Sequence, residues 1–187
     1  MNIINDILIK SIENNCGFDA YRKTLTLREV DVSANEDYQR NFTYYYRVRR
    51  NAEWRQNLFR FIEINKNSVN ISFEDILGEL NSYEGKIEAS FASKVLATIN
   101  VDKPIWDSNV LKALGMAIDS KDINDYVEKY DVICAKVNDF IDTDKGKEYI
   151  EWFDSVFKNC TDFSKVKKVD YLLWSMGKGD YKLNQFL

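Results

Sequence analysis

Histidine is absent from this sequence of 187 residues, proline occurs once, and cysteine occurs three times. Without histidine, Ser-His-Asp and Cys-His catalytic mechanisms are excluded, and so are metal sites built from imidazole. Any acid–base chemistry therefore falls to carboxylates, lysine or tyrosine. One proline and 7 glycines are also too few for the many tight turns of an all-β fold.

The three cysteines, Cys16, Cys134 and Cys160, lie far apart and form no C-x-x-C motif. An iron–sulfur cluster needs four closely spaced cysteines, so a chain with three cysteines cannot hold such a cluster. An odd number of separated cysteines is typical of reduced, packed thiols in a cytoplasmic protein. We therefore expect a cytoplasmic protein with no metal and no cofactor.

No run of apolar residues reaches the roughly 18 that a membrane span requires, and the first residues lack the basic segment of a signal peptide. We expect no association with a membrane.

The net charge is −4, from 26 basic and 30 acidic residues, which weighs against strong non-specific binding of nucleic acid. Apolar residues at 45% and charged residues at 30% indicate a globular chain.

Apolar residues recur at helical spacing along most of the chain, so the sequence predicts an all-α fold of about nine or ten helices. The predicted helices cover residues 2–14, 18–29, 35–50, a stretch after Asn51, 73–83, 91–99, a stretch entered through Asp107, 123–141, 149–157 and 163–176. The whole chain suits a single helical domain, or two small helical lobes that meet near residues 84–110.

The predicted helix at residues 35–50 combines aromatic and basic side chains. Ser33 and Glu36 have the spacing of a capping box at its start. One face would carry tyrosines and a phenylalanine, and the opposite face would carry Arg40, Tyr44 and Arg47. With Arg50, these residues suit phosphate contacts and base stacking. The alternative is an aromatic stripe in the core with a solvated basic face.

The sequence around residues 83–115 predicts a helix, a loop and a second helix. A turn at Gly85 precedes an apolar helical face that runs from Phe91 to Ile99. Pro104 interrupts any helix, and Asp107 has the short acceptor side chain that an N-cap requires. Gly115 is a suitable residue at the end of the second helix.

Residues 85–115 resemble the core of the helix-hairpin-helix DNA glycosylase superfamily, in which a hairpin precedes an alanine-rich helix and a loop then places an aspartate at a helix start. The matching segments are residues 85–92, 95–96 and 104–110, and residues 168–177 are similar to the closing helix of some members. The resemblance implies a two-lobed helical fold, double-stranded DNA as the partner and DNA repair by base excision. It assigns DNA contacts to Gly85 and Lys86, and it names no protein partner.

The resemblance also implies roles for single residues. Asp107 would stabilise positive charge on the sugar or orient water, with Trp106 and Ser90 lining the substrate pocket. Ser90 occupies the position of the lysine nucleophile of bifunctional members, and serine cannot form a Schiff base, so the resemblance implies a monofunctional enzyme without lyase activity. Lys86, Ile87 and Glu88 occupy positions that are usually glycine, an apolar residue and glycine in the family.

Three interpretations follow from the sequence. The first is a monofunctional DNA N-glycosylase that uses Asp107. The second is a non-catalytic helical module that binds DNA or protein, as in bacterial defence or modification systems, and depends on Arg40, Arg47 and Arg50. The third is a purely structural protein, in which Asp107 only caps its helix and Trp106 belongs to the core.

Overall fold

The computed structural model describes residues 17–185. Gly17–Asn100 form one compact unit, and residues 101–185 belong to a second. Nine α-helices and no strand occur in this described range, which confirms the predicted all-α class. The helix predicted at residues 2–14 lies outside the described residues.

The 17–100 unit contains five helices. They are α1 (Phe18–Leu25), α2 (Glu36–Tyr46), α3 (Ala52–Asn65), α4 (Phe73–Glu84) and α5 (Ala89–Ile99), with a 3₁₀ turn at Thr26–Arg28 after α1. Their inward faces form a core of large apolar side chains that are almost completely shielded from solvent. The most deeply buried are Leu27, Phe42, Leu58, Ile62, Ile76, Leu77, Leu80 and Leu96.

Side-chain caps begin the central helices of this unit. Asn51 accepts a hydrogen bond from the Trp54 amide, and Ser72 and Asp75 form a reciprocal capping box at the start of α4. The cap of α2 differs from the prediction, because Asn35 rather than Ser33 accepts the bond, from the Tyr38 amide. The Ser33 hydroxyl donates instead to the side chain of Asp31 in the preceding turn.

The predicted extent of the helix at residues 35–50 was wrong at its C-terminal end. The α2 helix ends at Tyr46, and Arg47 adopts the left-handed conformation with φ 53° and ψ 47°. The Val48 amide then donates to the Thr43 carbonyl at 3.0 Å, which completes a Schellman-type end. Glycine usually occupies the left-handed position of this motif, so sequence periodicity alone did not locate the end.

The 101–185 unit contains four helices. They are α6 (Ser108–Ala113), α7 (Ile123–Asp142), α8 (Asp144–Val156) and α9 (Lys165–Lys178), with 3₁₀ turns at Lys158–Cys160 and Leu183–Gln185. The short α6 packs along α9, and Gly115 follows α6 in the left-handed conformation that was expected for a helix end. Ile133, Phe153 and Leu172 are the most deeply buried large side chains of this unit.

Across residues 17–185, none of the helices combines the length and the apolar character that a membrane crossing would need.

Candidate functional site

Asp107 begins α6 as its N-cap, as the sequence predicted. Its Oδ1 atom accepts a hydrogen bond from the Asn109 amide at 2.9 Å, and the side chain is partly exposed. Within residues 17–185, the second oxygen, Oδ2, has no hydrogen-bond partner. Asp107 is therefore fixed through one oxygen while the other remains available to a substrate or to water.

The loop that precedes Asp107 is held by contacts from α7 and α9. The Tyr130 hydroxyl donates to the Pro104 carbonyl at 2.8 Å, and the Ile105 amide donates to Asp170 Oδ1 at 3.2 Å. The ring of Trp106 stacks on Tyr126, with ring centroids 5.5 Å apart and planes inclined by 26°. Three successive residues are thus anchored immediately before the carboxylate.

Trp106 is only 6% exposed, so it is part of the core of the 101–185 unit. Its contact with Tyr126 is the offset stacking that aromatic pairs favour, and it fixes the orientation of the loop. This placement fits the structural interpretation of Trp106 better than a role on an open pocket wall.

Asp170 is the most unusual ionisable group near Asp107. It lies on α9 with 4% of its surface exposed. Burial raises the pKa of this carboxyl to about 6, nearby Lys167 and the Ile105 amide oppose the increase, and the negative charge of Asp107 adds to it. Two neighbouring carboxyl groups with such different environments are a common arrangement at sites of acid–base chemistry.

The sequence pattern did not distinguish Asp170, Tyr130 or Lys167 as candidate site residues. A signal for Asp170 exists, because it is a carboxylate within the apolar run from Val169 to Leu173. An isolated acid in such a run is expected to be buried and to have a specific partner. The identity of that partner, an amide 65 positions away in sequence, is not visible in the local pattern.

A second candidate surface lies on α2 of the 17–100 unit, and we call Arg40, Tyr44 and Arg47 the Tyr44 face. Tyr44 is 77% exposed, and both arginines are also exposed. Arg40 forms ion pairs with Glu36 and Asp37, whereas Arg47 forms none with any residue in the described range. All eight arginines of the chain lie between residues 22 and 60, so this unit holds every guanidinium group.

Arg50 does not join the Tyr44 face. Its guanidinium forms an ion pair with Glu88 and lies over the rings of Trp54 and Phe91, 5.9 and 5.5 Å from their centroids. Its side chain is 28% exposed and that of Glu88 is 11% exposed. These contacts give Arg50 a structural role in joining α5 to the start of α3.

The segment that resembles a hairpin joins α4 to α5. Gly85 adopts φ 64° and donates its amide proton to the Asn81 carbonyl, so it ends α4. Lys86 is exposed and pairs with Glu84, with 3.0 Å between Nζ and Oε2. Ser90 lies in the first turn of α5, where its carbonyl accepts a bond from the Ser93 hydroxyl. Ser90 belongs to the 17–100 unit and Asp107 to the other unit.

No metal cluster occurs within residues 17–185, since no three acidic or cysteine side chains there converge at ligand distance. Burial raises the pKa of the Cys134 thiol, which disfavours the reactive thiolate.

Comparison with known proteins found no match to this chain among family models, curated proteins or solved structures.

Proposed function

We propose that the protein is a DNA-associated hydrolase of the monofunctional N-glycosylase type, with Asp107 as its catalytic carboxylate. The observation that carries the proposal is the geometry of Asp107, which is fixed at one oxygen and unengaged at the other within the described chain. The anchored loop before it supports the proposal, because a catalytic group must be held in position to act efficiently.

The chemistry needs no cofactor. As the bond between the base and C1′ of the sugar breaks, the base leaves with the bonding electrons and positive charge develops on the sugar. The Asp107 carboxylate would stabilise that charge and accept a proton from the water that attacks C1′, while the departing base takes up a proton from solvent and Asp107 then releases its own. The products are a free base and an abasic site. Ser90 supplies no amine, so strand cleavage through a Schiff base is not expected.

The test is base release from a panel of duplexes, each with one damaged or mismatched base. We expect release of at least one base by the wild-type protein and a loss of at least a hundredfold in Asp107→Asn. Asparagine caps helices as well as aspartate does, so this variant retains the fold while it loses the charge. Absence of release from every duplex, or equal release by Asp107→Asn, would refute the catalytic proposal.

The second candidate function is binding of nucleic acid without turnover through the Tyr44 face. The specific observation in its favour is an aromatic ring that is 77% exposed between two exposed arginines. Such a surface suits base stacking beside phosphate contacts. Arg50 is not included, because its ion pair with Glu88 is largely buried, whereas the ion pairs of Arg40 are exposed to solvent.

Fluorescence anisotropy with labelled DNA, measured over a range of salt concentrations, tests this second function. Loss of two phosphate contacts in Arg40→Ala/Arg47→Ala should lower the slope of log affinity against log salt by about 1.8. The control is Lys23→Ala/Arg60→Ala, which removes the same charge from exposed positions of the same unit. Equal slopes for the two double variants would exclude the Tyr44 face as a binding surface.

The two functions are separable, since Asp107→Asn should abolish turnover and leave DNA affinity unchanged.

We also propose a cytoplasmic location, which follows from the reduced state expected for three widely separated cysteines.

A further inference from the structure

Asp170 is almost fully buried, and yet its hydrogen-bonding capacity is only partly used. Its Oδ1 atom accepts one hydrogen bond, from the Ile105 amide, and its Oδ2 atom has no hydrogen-bond partner in the described chain. The nearest cation is Lys167, whose Nζ lies 3.8 Å from Oδ2 and 4.6 Å from the centre of the Tyr171 ring. A buried carboxyl with one unsatisfied oxygen is unfavourable, so its presence calls for an explanation.

We propose that Asp170 is the positioning residue of the Asp107 site: it holds the Ile105 amide and thereby sets the direction of the Asp107 carboxylate. The inference rests on the proposed function of Asp107 and deepens it. Ile105 is two residues before Asp107, and Tyr130 holds the adjacent Pro104 carbonyl. Displacement of the Ile105 amide would therefore rotate the start of α6 and its N-cap side chain.

A neutral side chain could also accept a hydrogen bond from the Ile105 amide, so that bond alone does not explain why residue 170 is an acid. The groups that face it are Lys167 from its own helix, Asp107 from the loop, and Tyr130 and Cys134 from α7. The negative charge of Asp107 raises the pKa of Asp170, so ionisation of Asp170 places a second negative charge near Asp107.

The coupling gives the site a defined response to pH. Burial raises the pKa of Asp170 to about 6, so below pH 6 the group is mainly neutral and places no negative charge near Asp107. Above pH 6, Asp170 ionises and accepts more strongly from the Ile105 amide, while the two negative charges repel each other. Both the position and the charge environment of Asp107 should change across this range.

The experiment combines Asp170→Asn and Asp170→Ala with Asp139→Asn as an exposed control in the same unit. Asparagine retains an oxygen acceptor for the Ile105 amide but cannot ionise. We expect Asp170→Asn to match the wild-type rate of base release within twofold at pH 5 and to differ by at least threefold at pH 8. Asp170→Ala should lose at least tenfold at both pH values, and Asp139→Asn should follow the wild type throughout.

NMR provides a readout that does not depend on turnover. In the wild type, the Ile105 amide, which donates to Asp170, should shift with a midpoint near pH 6, and Asp170→Asn should remove that transition. If no duplex releases a base but the transition is present, the proposed function fails while the positioning role stands. A wild-type protein without the transition, or a transition that persists in Asp170→Asn, would overturn the inference. A pH profile of Asp170→Asn parallel to that of the wild type would also overturn it.

Discussion

Gly177 on α9 lies directly against the backbone of Asn109 in α6: a methyl group at Gly177 would be 1.9 Å from the Asn109 carbonyl oxygen and 2.6 Å from the carbonyl carbon. No side chain fits there, because the obstructing atoms belong to a helix backbone rather than to a flexible side chain. Glycine at this position allows the helix that begins at Asp107 to approach α9.

Gly177→Ala should therefore destabilise the protein by about 3 kcal/mol or more, since α6 must move away from α9. Gly78→Ala is the matched control, because Gly78 lies in α4 with no atom within 4 Å of an added methyl group. That substitution should stabilise the protein by about 0.5–1 kcal/mol through helix propensity. Urea unfolding measures both changes, and similar effects of the two substitutions would contradict the close contact at Gly177.

Replacement of Arg47 should show that its backbone conformation is unfavourable. A non-glycine residue in the left-handed region costs about 1–2 kcal/mol, and part of this is offset by the greater freedom of glycine in the unfolded chain. We expect Arg47→Gly to raise the free energy of unfolding by about 0.5–1 kcal/mol and Arg47→Asn to raise it by less. If the Tyr44 face binds DNA, both variants should bind more weakly despite their greater stability.

Arg49→Gly is the control for Arg47. It removes an arginine from an exposed position whose φ is not positive, so it should lower the free energy of unfolding slightly. Effects of the same sign at positions 47 and 49 would argue against strain at Arg47.

The ion pair between Arg50 and Glu88 should be measurable in a double-mutant cycle. Arg50→Ala leaves a largely buried carboxylate without its partner and removes the contacts with Trp54 and Phe91, so a loss of about 2 kcal/mol is expected. With Glu88→Gln as the second substitution, the coupling energy should be about 1 kcal/mol. Unchanged stability in Arg50→Ala would mean that this arginine is free for another role.

Asp170 should make stability fall as the pH rises. Its ordinary pKa is 3.8 and the folded value is about 6, so between these values the unfolded chain releases the proton while the folded chain retains it. The contribution of Asp170 to the free energy of unfolding is therefore greatest below pH 4 and is lost as the pH rises through 6, by about 3 kcal/mol in total.

The measurement is the free energy of unfolding of wild type and Asp170→Asn at several pH values from 4 to 8. The difference between the two proteins should change through this window and become constant above pH 7. The same comparison with Asp139→Asn should show no transition near pH 6. A constant difference between wild type and Asp170→Asn would show that Asp170 titrates normally.

Local features of the sequence were sufficient for much of the fold. Apolar spacing accounts for the all-α class and for the long helix at Ile123–Asp142. Side chains that bond to amides two or three residues away account for the capping box at Ser72 and the N-cap at Asp107. Such interactions form within one turn of helix, so the pattern of neighbouring residues contains the information that predicts them.

Other features depended on residues that are distant along the chain. The bond from Ile105 to Asp170 spans 65 positions and the pair of Arg50 with Glu88 spans 38, so neither could be recognised before the helices were packed. The left-handed Arg47 likewise ends α2 where periodicity continued. The sequence alone thus specified the helices and the N-cap carboxylate at the start of α6, because both depend on interactions within one turn of helix. The burial and raised pKa of the acid beside that carboxylate came from packing, because only the folded chain excludes water from Asp170 and places it against the loop.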